Sequence, residues 1–227
     1  MLKIPNYTQN CGINLNLYFN LLKLLETSSI FNFPEGVIVG YSDILDDLSG
    51  SLLTPKELDE WNTFTNNKRK KEFIAARVLF RTMLNEMGYD LEFEICKQDS
   101  GKPYAINQDS ELFVSFSHTK NAVFCAISSK YDIGLDSEPL DRKIDNGIVK
   151  RILNEKELRE FDDEDPVLLW TIKEATVKSL GTGLRTNLNE LCIEKKQKEG
   201  FIVKINNEKT FQICSFQKVN HQLSIAY

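Results

Sequence analysis

A chain of 227 residues is long enough for one large domain or two small ones, each with its own buried core. Hydrophobic residues make up 41% and charged residues 27%, the balance of a soluble globular protein, and a formal net charge of −5 removes the global basic field that nonspecific nucleic-acid binding needs. The five cysteines (Cys11, Cys96, Cys125, Cys192 and Cys214) are scattered, odd in number and without CxxC spacing, which argues against a disulfide framework or a structural zinc and fits a reducing cytoplasm.

Residues 1–34 read as an added segment. Leu17, Leu21, Leu24 and Leu25 recur at helical spacing, so residues 13–25 are expected to form an amphipathic helix packed on the main body. That stretch is too short to span a bilayer, and Asn14, Asn16, Asn20 and Lys23 spoil it as a signal-peptide core, so neither membrane nor targeting function is expected. A strand is expected at 36–41. Thr54-Pro55-Lys56-Glu57 has the form of a helix start, with Thr54 as cap, proline at the first position and Glu57 closing a capping box. A long helix over 66–87 should end at Gly88. Residues 91–97 alternate Phe93 and Ile95 with charged residues, as a half-buried strand does. Residues 99–103 form a turn, and 112–116 and 122–128 are strands. A short strand at 133–136 precedes helices at 147–152, 155–161 and 166–180, the last stopped by Gly181 and Gly183. Strands at 191–196, 201–205, 210–216 and 223–227 close the chain. The order suits an α+β fold of two similar lobes.

Five constellations could carry chemistry. In Gly134-Leu135-Asp136-Ser137-Glu138, an extended backbone points Asp136 and Glu138 to one side, and paired carboxylates suit a hard cation such as magnesium. A solvated polar loop is the competing meaning. On a helix through Trp170–Leu184, Trp170, Glu174 and Lys178 share a face, and the tryptophan argues that the ion pair is partly buried rather than a surface pair. Gly101-Lys102-Pro103 makes a stiff turn holding out a lysine suited to phosphate, or an ordinary surface turn. Ser117-His118 fits a hydrogen-bonding pair facing a ligand, a weak nucleophile pair, or a satisfied core histidine. Two histidines in the whole chain nearly exclude a histidine-built zinc site. Lys68 to Lys71 read as a solvated helix face, while Lys70, Arg77 and Arg81 fall on one stripe that could grip phosphate.

The GKP turn, the strand ending in SH, the GxDxE segment and W-x-x-K-E-x-x-x-K followed by G-x-G-L occur in an order and at spacings that resemble the 4′-phosphopantetheinyl transferase family, the two-lobed kind acting on carrier proteins. The resemblance spans roughly residues 36–184. It implies a pseudo-duplicated fold, with an extension at 1–34 carrying the added N-terminal helix, an N-terminal lobe at 35–117, a C-terminal lobe at 118–227 and the active site in the cleft between them. It implies transfer of 4′-phosphopantetheine from coenzyme A to a serine of an apo acyl or peptidyl carrier protein, releasing 3′,5′-ADP, by a magnesium-dependent cytoplasmic monomer.

The same resemblance assigns Asp136, Glu138 and Glu174 to the metal, with Glu174 also the base that activates the serine. Lys178 falls to the pyrophosphate and the leaving group. Lys102, Pro103, Ser117 and His118 fall to the nucleotide phosphates, Arg81 to the 3′-phosphate, and Lys173 to the cofactor side of the motif. Ser137, the middle residue of the carboxylate motif, departs from the usual apolar residue. Two rivals remain: another magnesium-dependent phosphotransferase or phosphohydrolase, and a noncatalytic carrier-binding module.

Overall fold

The computed structural model describes residues 22–227, apart from Asp47, Ser49, Asp90, Leu91, residues 197–199 and Asn207. Two antiparallel sheets, each with a long helix on its outer face, make a mixed α/β architecture. The first sheet takes β1 (Leu22–Leu24), β2 (Val37–Asp43), β3 (Glu94–Lys97), β4 (Pro103–Ile106), β5 (Glu111–His118) and β6 (Ala122–Ser128), in the order β1-β2-β6-β5-β4-β3. The second takes β7 (Gly134–Pro139), β8 (Leu191–Lys196), β9 (Gly200–Ile205), β10 (Lys209–Lys218) and β11 (His221–Ala226), in the order β7-β11-β10-β9-β8.

Local signals set the helix ends. Helix α1 (Pro55–Asn62) begins with the expected capping box, in which Glu57 N donates to Thr54 Oγ1 and Thr54 N donates to a Glu57 oxygen. Helix α2 (Asn67–Glu86) starts at Asn66, whose side chain accepts from Lys68 N and Arg69 N, and gives way to Gly88 at φ 73°. Helices α3 (Asn146–Ile152) and α4 (Glu155–Glu160) are short. Helix α5 (Pro166–Leu180) is capped by Asp165 and stopped by left-handed Gly181.

The layers follow from strand alternation. Val123, Cys125 and Ile127 of β6 face Leu79, Phe80 and Met83 of α2, while Phe124 and Ala126 face Leu135, Leu223 and Ile225 of the second sheet. On the far side, Leu169, Ile172 and Ala175 of α5 cover Ile193, Val203 and Phe211. Each fully buried Leu or Ile in these clusters contributes roughly 1.5–3 kcal/mol, and the shared middle cluster fixes one sheet against the other.

Gly134 governs the approach of β7 to α5. A Cβ there would lie 2.0 Å from Ala175 O and 2.3 Å from Ser179 N, so only glycine lets the strand lie against the helix backbone. Asp136, two residues on, is thereby held beside Glu174 and Lys178 of α5.

Three sequence expectations change. Leu22–Leu24, the end of the expected amphipathic helix, is a strand paired with β2, and the rest of that helix lies outside the described residues. The ladder with Gly40 to Ser42 supplies backbone bonds that override the leucine periodicity. Strand β4 was not expected, because its proline start reads as a turn. Strand β6 belongs to the first sheet, so the sheets divide after Ser128 rather than at 117/118. No helix among the described residues is long and apolar enough to cross a membrane, and the four described cysteines are all free.

Candidate active site

A cavity of about 490 Å³ opens between α2, β5 and α5. Helix α2 contributes Arg69, Glu72, Phe73, Ala76 and Arg77, one stripe at i, i+3, i+4, i+7 and i+8. Lys102 and Pro103 enter from the turn before β4, Ser117 and His118 from the end of β5, and Glu174 and Lys178 from α5. Glu174 and Lys178 are half-buried, as is Trp170 one turn earlier, while Lys173, Ala175, Thr176 and Val177 between them are buried. The expected face of α5 is therefore the one turned towards the site.

Asp136 is the centre of the polar arrangement. Ser117 Oγ donates to Asp136 Oδ1 at 3.1 Å and accepts from Ser137 N at 3.0 Å, which pins β5 to β7. Lys178 Nζ donates to the same carboxylate oxygen at 2.8 Å and to Leu135 O at 2.9 Å. The other oxygen, Oδ2, is buried and has no hydrogen-bond partner. A buried carboxylate oxygen without a donor is costly unless a cation or a water meets it. Glu174 lies close enough to matter: burial first, and then the Asp136 charge, push its carboxyl above the ordinary range, against Lys178 and Arg142.

Glu138 points to the same side of β7 but is taken up by Arg142, whose guanidinium lies 4.8 Å from the Trp170 ring centroid. Among the described residues no three Asp, Glu, His or Cys side chains converge as a closed metal cluster. Lys178 and Arg142 instead neutralise Asp136 and Glu138 separately. Two carboxylates and one unused oxygen fit a hard cation that completes its shell with water and substrate phosphates better than one caged by protein alone.

Residues 132–227 match the family model described as the 4′-phosphopantetheinyl transferase superfamily. The chain is 32% identical over 187 residues to the 4′-phosphopantetheinyl transferase gsp of Aneurinibacillus migulanus, covering 70% of this chain and 76% of that protein. It is 30% identical over 156 residues to the 4′-phosphopantetheinyl transferase HetI of Nostoc sp. strain PCC 7120, covering 62% of this chain and 64% of that protein, a little under two thirds of its length. The chain belongs to the 4′-phosphopantetheinyl transferase superfamily. The stretch matched by the superfamily model contains Asp136, Glu138, Glu174 and Lys178, while Lys102, Ser117 and His118 precede it.

Four residues expected at this transferase site do not line the cavity: Asp136 and Glu138, which sit on β7, and Arg81 and Lys173. Arg81 is buried against Glu57 and donates to Leu52 O, four residues beyond Arg77, which does line it. The two arginines share Glu57. Arg77 Nε lies 3.3 Å from a Glu57 oxygen without hydrogen-bond alignment, and its guanidinium sits 4.3 Å from the Phe73 ring centroid. Lys173 is fully buried: Nζ donates to both Glu157 oxygens at 2.8 Å and to the carbonyls of Leu188 and Leu191. It ties α4 and the 188–191 segment to α5. Lys70, also placed on the phosphate stripe, stacks on the Trp61 ring at 4.2 Å.

The other expected residues meet the cavity. Lys102 lines it while pairing with Asp132 and the Ser179 carbonyl; burial pulls its ammonium below the ordinary value and Asp132 opposes this. Ser117 and His118 face opposite ways, as adjacent strand residues must, so they are not a nucleophile pair. Ser117 serves Asp136, and His118 Nε2 lies 3.4 Å from Glu72. Burial lowers the His118 pKa and Glu72 works against that. Arg69, Glu72 and Arg142 were missed as site residues, whereas Arg77, expected on a phosphate-gripping stripe, does line the cavity. The α2 stripe is readable as helical periodicity, but the charge run there reads as solvated face.

Proposed function

We propose that this superfamily member transfers 4′-phosphopantetheine from coenzyme A to a serine hydroxyl of an apo carrier protein, releasing 3′,5′-ADP, with magnesium held by Asp136, Glu138 and Glu174. The observation that carries this is the buried, unpartnered Oδ2 of Asp136 beside Glu174, at a cavity edged by Lys178, Lys102 and His118. When bound, magnesium supplies charge neutralisation on the pyrophosphate as its P–O bond breaks.

The chain's own residues do the rest. Ser117 and Lys178 hold Asp136 in orientation. Glu174, with a raised proton affinity, takes the proton of the acceptor serine as its oxygen bonds to phosphorus. Lys178 offers positive charge to the departing 3′,5′-ADP, and Lys102 and His118 hold its phosphates. The two halves, each an antiparallel sheet with one outer helix, are read as similar lobes, and the protein as a cytoplasmic monomer.

The test is the stoichiometry of 3′,5′-ADP release when the protein meets coenzyme A, magnesium and an apo carrier protein. One 3′,5′-ADP per carrier loaded, stopped by chelator, supports the proposal. Phosphate release from simple esters without a carrier supports the phosphohydrolase instead, and coenzyme A binding without any release supports the noncatalytic module.

A further inference from the structure

Glu72 places a carboxylate where the proposed chemistry calls for cations. It is 6% exposed and lines the cavity together with Arg69, Lys102, His118 and Lys178. One of its oxygens lies 3.4 Å from His118 Nε2 and 3.9 Å from Arg69 Nη1, and the other lies 3.5 Å from Lys68 Nζ. A carboxylate this enclosed is costly unless cations or donors surround it, and here Lys68 and Arg69 supply charge while the His118 imidazole lies within reach. The spacing along α2 makes the arrangement local: Lys68 and Arg69 are four and three residues before Glu72, so the helix presents all three together. His118 comes from a different element, the end of β5.

These are also groups that a nucleotide phosphate entering the cavity would seek. A phosphate monoester carries nearly two negative charges and three acceptor oxygens, so it pairs with them more strongly than a carboxylate does. It cannot approach without meeting Glu72 as a like charge. Resting on the coenzyme A reading above, we propose that Glu72 is an internal stand-in for a substrate phosphate: it occupies Arg69 and His118 until the phosphate takes them over, and so limits how tightly the nucleotide is held. Loose holding has a use in a transferase, because 3′,5′-ADP must leave before the next coenzyme A enters.

Binding of 3′,5′-ADP, measured by titration calorimetry on the full chain, tests this without any turnover, with adenosine as the uncharged control. The Glu72→Gln protein should bind 3′,5′-ADP roughly two- to fivefold tighter than the unaltered protein, the range for a partly exposed ion pair. Adenosine binding should not change, and Glu72→Asp should restore the original affinity for 3′,5′-ADP. Equal or weaker 3′,5′-ADP binding by the Gln variant overturns the proposal. Should that variant not fold, the unaltered protein still decides. With only two histidines in the chain, imidazole NMR signals are readily assigned, and saturation with 3′,5′-ADP should shift those of His118; a bound nucleotide that leaves them unmoved overturns it. Complete absence of 3′,5′-ADP binding overturns the coenzyme A reading itself, and this proposal with it.

Discussion

Two lysines in the same motif have opposite surroundings. Lys173 is sealed between Glu157 and two carbonyls, while Lys178 is 29% exposed at the cavity. Lys173→Met leaves Glu157 buried without its cation, a change that costs about 3–5 kcal/mol; urea unfolding should show that loss, and a variant within about 1 kcal/mol of the original would contradict it. Lys178→Met should keep its melting temperature and lose transfer rate. Glu174 gives a prediction of the opposite sign. Its pKa is raised in the folded protein, so the folded state holds its proton more tightly than the unfolded state does. Stability therefore falls as pH rises from the ordinary carboxylate value through the raised one, and at neutral pH Glu174 destabilises the metal-free protein. Glu174→Gln should melt higher than the unaltered protein in chelator at pH 7, while transfer falls by roughly 10²–10⁴. A lower melting temperature would mean the carboxylate is not strained there. At this scale the sequence revealed grouping better than placement: spacing put Glu174 and Lys178 on one helix face, and the structure brings Asp136 beside them. Arg81 and Lys173 were assigned to the ligand, because a charged residue in a motif does not announce that a buried partner such as Glu57 or Glu157 will claim it.

Elements, rather than single side chains, bring the carboxylates together. Strand β7 lies on the backbone of α5 because Gly134 has no side chain. Gly134→Ala must push strand and helix apart, an overpacking cost of about 1–3 kcal/mol, and it should lower transfer as well as stability by moving Asp136 from Glu174. Denaturation and rate measurements on that variant check both effects; a stable, fully active protein would show that the close approach is not needed. Most elements were legible because capping boxes, terminal glycines and alternation are local signals. Strand β4 was hidden by its proline, and β1 by leucines whose helical spacing yields to pairing with β2. The stripe of α2 that lines the cavity was misjudged for a related reason. Periodicity shows which residues share a face, but what covers the face depends on β5 and α5, which are distant in sequence.

At the level of the whole molecule, the two sheets share a core built from both, with Phe124 and Ala126 meeting Leu135, Leu223 and Ile225. The halves should therefore unfold together. Trp61 belongs to the first half and Trp170 to the second, so single-tryptophan variants, Trp61→Phe and Trp170→Phe, report on each. Their fluorescence midpoints in denaturant should coincide; separate midpoints would mean lobes that fold independently. Two sheet-bearing halves were legible in the sequence from the order of strands and helices. The boundary was not, because β6 differs from the strands after it in hydrogen-bond partner, not in composition.

Transfer itself is tested most directly by intact-mass spectrometry of an apo carrier protein after incubation with this protein, coenzyme A and magnesium. The carrier should gain one phosphopantetheinyl group, and the gain should vanish with chelator or with Asp136→Ala. A carrier of unchanged mass across several carrier classes, with coenzyme A demonstrably bound, would contradict the proposed transfer.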